Sequence, residues 1–218
     1  MCRTVTAVIV GSIVAFMVGW ANWTVLHLWV DAFKPIPPAV ESSIVPTIAE
    51  KLGPGSWFFP GMDMEAMCTM SEEENQKMWD AYVPIHEKGP VGMILVSPGS
   101  TPMSGKTFVR GFVIDVLGAI GVALVLCMGR GGVLCRWLHA SIVITLITTL
   151  FYGALVNWME LPSVFVGRIA ADIILTWTVA ALAMALIMRR GGGSCCGASA
   201  KGDSCSTGDC GCAPKKCC

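Results

Sequence analysis

The stretch FVRGFVIDVLGAIGVALVLCM, residues 108–128, decides the fold. It interrupts twenty-one residues with only one base, Arg110, and one acid, Asp115. About 20 apolar residues of helix cross roughly 30 Å of hydrocarbon, and a helix satisfies its own backbone in lipid. Residues 5–28, 137–158 and 164–188 have the same character, so four membrane spans are predicted. The whole chain agrees. Of its 218 residues 54% are hydrophobic and only 14% charged, with a mean hydropathy of +0.66, against about 25% charged in soluble domains. The first run is too long for a signal peptide and lacks an Ala-x-Ala site, so it reads as an uncleaved span. A formal net charge of zero argues against nucleic acid as a partner; the partner composition points to is the lipid bilayer.

The expected layout is transmembrane helix 1 in residues 1–30, an extracytoplasmic cap in 31–107 and transmembrane helix 2 in 108–128. A cytoplasmic loop in 129–136, helix 3 in 137–158, helix 4 in 164–188 and a disordered Cys-rich cytoplasmic tail in 189–218 follow. Orientation comes from the bases. Arg3, Arg130, Arg136, Arg189, Arg190, Lys201, Lys215 and Lys216 fall on one side, whereas residues 31–107 hold ten acids against five lysines. Both termini are thus expected in the cytoplasm. Cysteine usage points the same way. Of eleven cysteines only Cys68 would lie outside, without a partner for an intramolecular disulfide.

The two halves match at several positions. Val8-Ile9, Phe16 and Asn22-Trp23 recur at the same spacing as Val143-Ile144, Phe151 and Asn157-Trp158. Phe108-Val109, Arg110 and Asp115 correspond to Phe165-Val166, Arg168 and Asp172. The fold class expected is therefore an all-α four-helix transmembrane bundle of two duplicated hairpins, with a small cap inserted in the first. Halves of equal orientation imply an axis along the membrane normal.

The matched polar residues lie where charge is costly. At about 1.5 Å per residue, Asp115 and Asp172 sit at similar depth below their helix starts, each with an arginine, Arg110 or Arg168, four or five residues earlier. Asn22, His27, Asn157 and Glu160 come from the outer ends of the other two helices. Two readings stand side by side. One is a polar pocket in the outer half, binding an ion, a proton or a small ligand; the other is interhelical glue, with Arg–Asp pairs neutralised locally.

In residues 31–107, helical character runs over 39–52 despite Pro46. Ser71 with Glu74 is a capping box starting a helix to about Tyr82, before Pro84. Trp57-Phe58-Phe59-Pro60 is an aromatic cluster expected at the membrane interface or under the cap, and residues 93–96 form one short strand. Met62, Met64, Met67 and Met70 bracket Cys68. Thioethers and thiolates select soft ions such as Cu(I) or silver, but methionines also fill irregular apolar gaps. Residues 99–107 imitate a phosphate-binding loop with one residue too many between the glycines, and are rejected as one.

Cys195, Cys196, Cys205, Cys210, Cys212, Cys217 and Cys218 lie among Gly, Ser, Ala and Lys, which bury no core. In a reducing compartment such thiols are soft-metal ligands, for Cu(I) or Zn(II). A ligand-free tail and lipidation of Cys195-Cys196 are the competing readings.

Phe16 through Asn22-Trp23, Gly55-Ser-Trp-Phe-Phe-Pro60, Arg110-Gly-Phe-Val-Ile-Asp115, and Asn157-Trp-Met-Glu-Leu-Pro162 with Asp172 resemble a group of small, uncharacterised bacterial four-span inner-membrane proteins. The resemblance covers residues 5–188 and excludes the tail. It implies a bacterial inner-membrane protein and assigns no activity. The leading functional expectation is a non-enzymatic membrane protein handling soft metal ions through its tail thiols. The alternative is a structural or accessory subunit of a larger membrane complex, among other membrane subunits. A thiol-redox relay is a weaker third, since the tail has no Cys-x-x-Cys.

Overall fold

The computed structural model describes residues 2–28, 30, 32–101 and 103–189. It is mostly helical, with seven helices among these residues: α1 (Cys2–Thr24), α2 (Pro38–Lys51), α3 (Met64–Met67), α4 (Glu72–Lys88), α5 (Gly105–Met128), α6 (Val133–Met159) and α7 (Ser163–Ile187). Four of them, α1, α5, α6 and α7, are long and apolar enough to cross a membrane. The chain is thus a multi-pass helical membrane bundle. The tail cysteines Cys195, Cys196, Cys205, Cys210, Cys212, Cys217 and Cys218 lie outside the described residues.

Between α1 and α5 the chain carries a two-stranded sheet as well as helices. Strand β1 (Gly55–Phe59) pairs antiparallel with β2 (Gly92–Val96), Trp57 opposite Ile94. Trp57, Phe58 and Phe59 of the aromatic cluster therefore belong to a strand. Phe59 faces Gly92, where a Cβ would collide with its ring; glycine there is what lets the strands approach. The capping box forms as read: Ser71 N donates to Glu74 Oε2 at 2.9 Å, and Glu74 N to Ser71 Oγ at 3.4 Å. The hydrogen bonds from Ser71, side chain first, hold the Glu74 carboxyl below its ordinary range. Helix α4 runs past Pro84 to Lys88 instead of stopping near Tyr82. In its last turn His86 packs on Tyr82 of the same helix (5.4 Å between rings), and His86 Nε2 lies 3.7 Å from Glu160 Oε1.

In the bundle, α1 packs along both α5 and α7, and α6 packs along α7; α5 meets α6 and α7 only over short stretches. Without a hydrophobic drive between helices in lipid, close approach depends on small side chains. Ala7, Gly11 and Ala15 recur every four residues on α1, facing Ala180, Ala181, Met184 and Ala185 of α7 in the packed interior. A Cβ on Gly11 would overlap Met184. The buried cluster of Ala7, Ala119, Ala123, Leu126, Ala140, Ala181 and Met184 lies in the half of the bundle where α1 begins and α5 and α7 end, called here the near half.

Arginines tie off this near end. Helix α6 begins at Val133, so Arg136, read from sequence as a loop residue, sits in its first turn and is 4% exposed. Its Nε donates to Leu126 O at 2.7 Å and its Nη1 to Met188 O at 3.1 Å. Both carbonyls lie at helix C-termini, which leave orphan acceptors and a negative dipole end. Arg3 Nη1 likewise donates to Arg189 O at 2.9 Å. One cation thus joins α6 to the ends of α5 and α7.

Two glycines of α5 give a matched test of this packing. A Cβ on Gly118 would overlap the Trp177 indole, whereas one on Gly111 meets nothing within 4 Å. Gly118→Ala is expected to destabilise by about 1–3 kcal/mol through overpacking. Gly111→Ala is expected to be neutral or to stabilise by up to about 1 kcal/mol through lower chain entropy. Unfolding midpoints of the two in the same detergent check this; equal shifts would refute the close α5–α7 approach.

Candidate functional site: an acidic cavity in the far half of the bundle

Where the near half is packed, the far half opens. A cavity of about 560 Å³ lies between the second half of α1 and the first halves of α5 and α7. The lining is largely apolar and aromatic. Phe16, Trp20 and Trp23 come from α1, Phe108 and Ile114 from α5, and Ile173 and Trp177 from α7. Phe16 sits edge-on to Phe108 and Phe112, with centroids 6.4 and 6.0 Å apart. Gly19 and Gly111 line the space, and a Cβ on either meets nothing within 4 Å. Met103, in a left-handed backbone conformation (φ 54°), contributes from the loop before α5.

Two carboxylates enter this cavity, Asp115 from α5 and Asp172 from α7. They are held differently. Asn22, 1% exposed, donates through Nδ2 to Asp172 Oδ1 at 2.5 Å and to Thr176 Oγ1 at 3.2 Å. Thr176, one turn after Asp172 on α7, donates to the same Oδ1 at 3.4 Å. Asn22 does not itself line the cavity; it stands behind the wall and fixes the carboxylate that does. Asp115 is half-buried and has no hydrogen-bond or ion-pair partner among the described residues. Among the described residues, no lysine, arginine or histidine lines the cavity.

The eight polar residues singled out from sequence therefore separate. Asn22, Asp115 and Asp172 come together at the cavity. Arg110 is exposed and off it; Arg168 is half-buried and engaged, but is not a lining residue. Neither Arg110–Asp115 nor Arg168–Asp172 is among the ion pairs of the described residues. Asn157 is exposed two residues before the end of α6. His27 lies beyond α1 with φ 48°, exposed. Glu160 caps α6 at φ 50° and faces His86. Trp177, Thr176 and the glycines Gly19 and Gly111 belong to the site without having been read as such. The signal for Thr176 was present, since a hydroxyl four residues after an intramembrane acid lies on the same helix face.

The methionine-rich segment is a short capped turn. Asp63 Oδ1 accepts from Glu65 N at 3.1 Å and Ala66 N at 2.9 Å, starting α3. Met64, Met70 and Cys68 are exposed, Met62 and Met67 half-buried. The Cys68 thiol donates to Met64 O at 3.5 Å. Among the described residues no three His, Cys, Asp or Glu side chains come together as a metal site.

No protein-family model, curated protein or solved structure matches this chain.

Proposed function

We propose that the protein is a non-enzymatic membrane protein that takes a small ligand into the cavity between α1, α5 and α7. One observation carries the reading: Asp115 and Asp172 line one cavity that no base among the described residues lines. Glue accounts for Asp172, which Asn22 and Thr176 hold, but leaves Asp115 without a role. An unpartnered acid inside a span is costly enough to mark a functional site. The cavity volume falls in the ordinary range for small-molecule sites, roughly 300–1,000 Å³. Gly111→Leu fills the cavity from a position with open space around it, so it serves as the blocked control. In thermal unfolding of the purified full chain against cationic, anionic, neutral and zwitterionic solutes, at least one class should raise the midpoint of the wild type and leave Gly111→Leu unmoved. No ligand-dependent difference between the two proteins would refute the reading.

We place the protein in a bacterial inner membrane, with both termini cytoplasmic and residues 31–107 as an extracytoplasmic cap. Support comes from the basic residues gathered on the terminal side, the acids in the cap, and the resemblance given above. The two hairpins are read as duplicates on their matched residues. The like pairing of α1 with α5 and of α6 with α7 supports this, while the close packing of α1 on α7 against the slight contact of α6 with α5, and buried Asn22 against exposed Asn157, mark divergence since. In intact spheroplasts an impermeant maleimide should label Cys68 alone. Labelling of the tail before lysis would reverse the orientation.

A second reading rests on seven cysteines in the last 24 residues. We propose Cys195, Cys196, Cys205, Cys210, Cys212, Cys217 and Cys218 as cytoplasmic ligands for Cu(I) or Zn(II), which require thiolate and so release metal on acidification. The full chain should carry metal that a chain ending at Arg190 lacks. Equal metal content in both would leave the accessory-subunit reading for the tail.

A further inference from the structure

Resting on the ligand-site reading above, we infer that the cavity's ligand is an organic cation with an apolar or aromatic body. Size comes first. A space of about 560 Å³ far exceeds what a desolvated metal ion fills, and the described residues gather no three His, Cys, Asp or Glu side chains to ligate one. Charge comes second. Asp115 and Asp172 line the space, and among the described residues no lysine, arginine or histidine lines it, so an anion is repelled and a cation supplies a counter-charge. A neutral ligand would supply no counter-charge to either carboxyl.

The third term is the wall itself. Phe16, Trp20, Trp23, Phe108 and Trp177 line the same space as the carboxylates, and aromatic faces attract organic cations, tryptophan most strongly. They also bury the apolar body that such a cation carries, which an inorganic ion does not have. The two acids then divide the task. Asp172, fixed by Asn22 and Thr176, is the oriented anchor; Asp115, without a partner among the described residues, is the carboxylate free to move onto the ligand. Asn22 acts through Asp172 and is a positioning residue.

The test is calorimetric titration of the full chain in lipid nanodiscs, with empty nanodiscs subtracted. The probes are tetraphenylphosphonium, the neutral triphenylphosphine oxide, the anion tetraphenylborate, and magnesium chloride. One saturable tetraphenylphosphonium site is expected, about tenfold weaker in Asp115→Asn, in Asp172→Asn and in Gly111→Leu. Triphenylphosphine oxide should bind at least about tenfold more weakly than the cation, and tetraphenylborate should not bind. Asn22→Leu removes the donor to Asp172 and should weaken the cation as Asp172→Asn does, while Asn22→Gln should restore part of the loss. If the oxide binds as tightly as the cation, or magnesium displaces it, while Gly111→Leu still blocks, the ligand class is wrong and the cavity reading survives. Binding of the cation unchanged in both Asp→Asn variants overturns the inference as well. If no probe shows binding sensitive to Gly111→Leu, both fall together. Should an Asp→Asn variant fail to fold, the comparison of charged with neutral probe on the wild type still decides.

Discussion

Arg136→Ala is expected to destabilise the bundle by about 2–4 kcal/mol, the largest loss of any single substitution considered. Hydrogen bonds from a charged donor contribute about 1.5–3 kcal/mol each, and Arg136 makes two, to Leu126 O and Met188 O. Removing it also relieves the desolvation of a buried cation, which keeps the net below the sum. What remains is severe because it removes the donor from two buried helix-terminal acceptors. Arg136→Lys keeps the charge but not the fork, and should recover less than half of the loss. Reversible unfolding in mixed micelles measures both. A change under about 0.5 kcal/mol for Arg136→Ala would mean that small-residue packing alone holds α5, α6 and α7 together at the near end.

Asn22→Leu is expected to destabilise by about 1–2 kcal/mol. Interhelical hydrogen bonds in membranes average about 0.6 kcal/mol and reach about 1.7; a carboxylate acceptor and nearly complete burial put Asn22 at the upper end. The effect should be coupled to Asp172. Asp172→Asn introduced together with Asn22→Leu should add clearly less than it does alone, because the shared bond is already gone. The pair Asn157→Leu with Asp115→Asn should show no such coupling, since exposed Asn157 is not at the cavity. Coupling of equal size in the two pairs would mean the halves are symmetric after all.

The spans were legible because run length and composition decide them. Each of the four helices contains most of its predicted stretch, with ends shifted by capping: Ser104 accepts from Thr107 N and starts α5 three residues before Phe108. Asp115 and Asp172 were legible because they lie equally far along matched helices. Their arginines misled, since sequence spacing places an Arg–Asp pair within reach without saying which way either side chain turns. Asn157 was read as the twin of Asn22, but the link from α6 to α7 is only three residues, 160–162. That keeps Asn157 level with the top of α7, whereas Asn22 meets Asp172 more than two turns into it. Arg136 could not be read as a clamp from its own neighbours, because its acceptors are 10 and 52 residues away. The ladder of Ala7, Gly11 and Ala15 was in plain view but passes as ordinary apolar sequence until a partner helix is known.

The most direct measurement concerns the two carboxylates themselves. In a chain whose native cysteines are replaced by serine, Asp115→Cys and Asp172→Cys are introduced singly and together, and treated with a bifunctional methanethiosulfonate short enough to span one such cavity. If both acids line the same space, the doubly substituted chain should form an intramolecular cross-link. That cross-link should be lost when Gly111→Leu fills the space. Two thiols that each react with a monofunctional reagent yet never join would place Asp115 and Asp172 in separate environments, and the shared site would not exist.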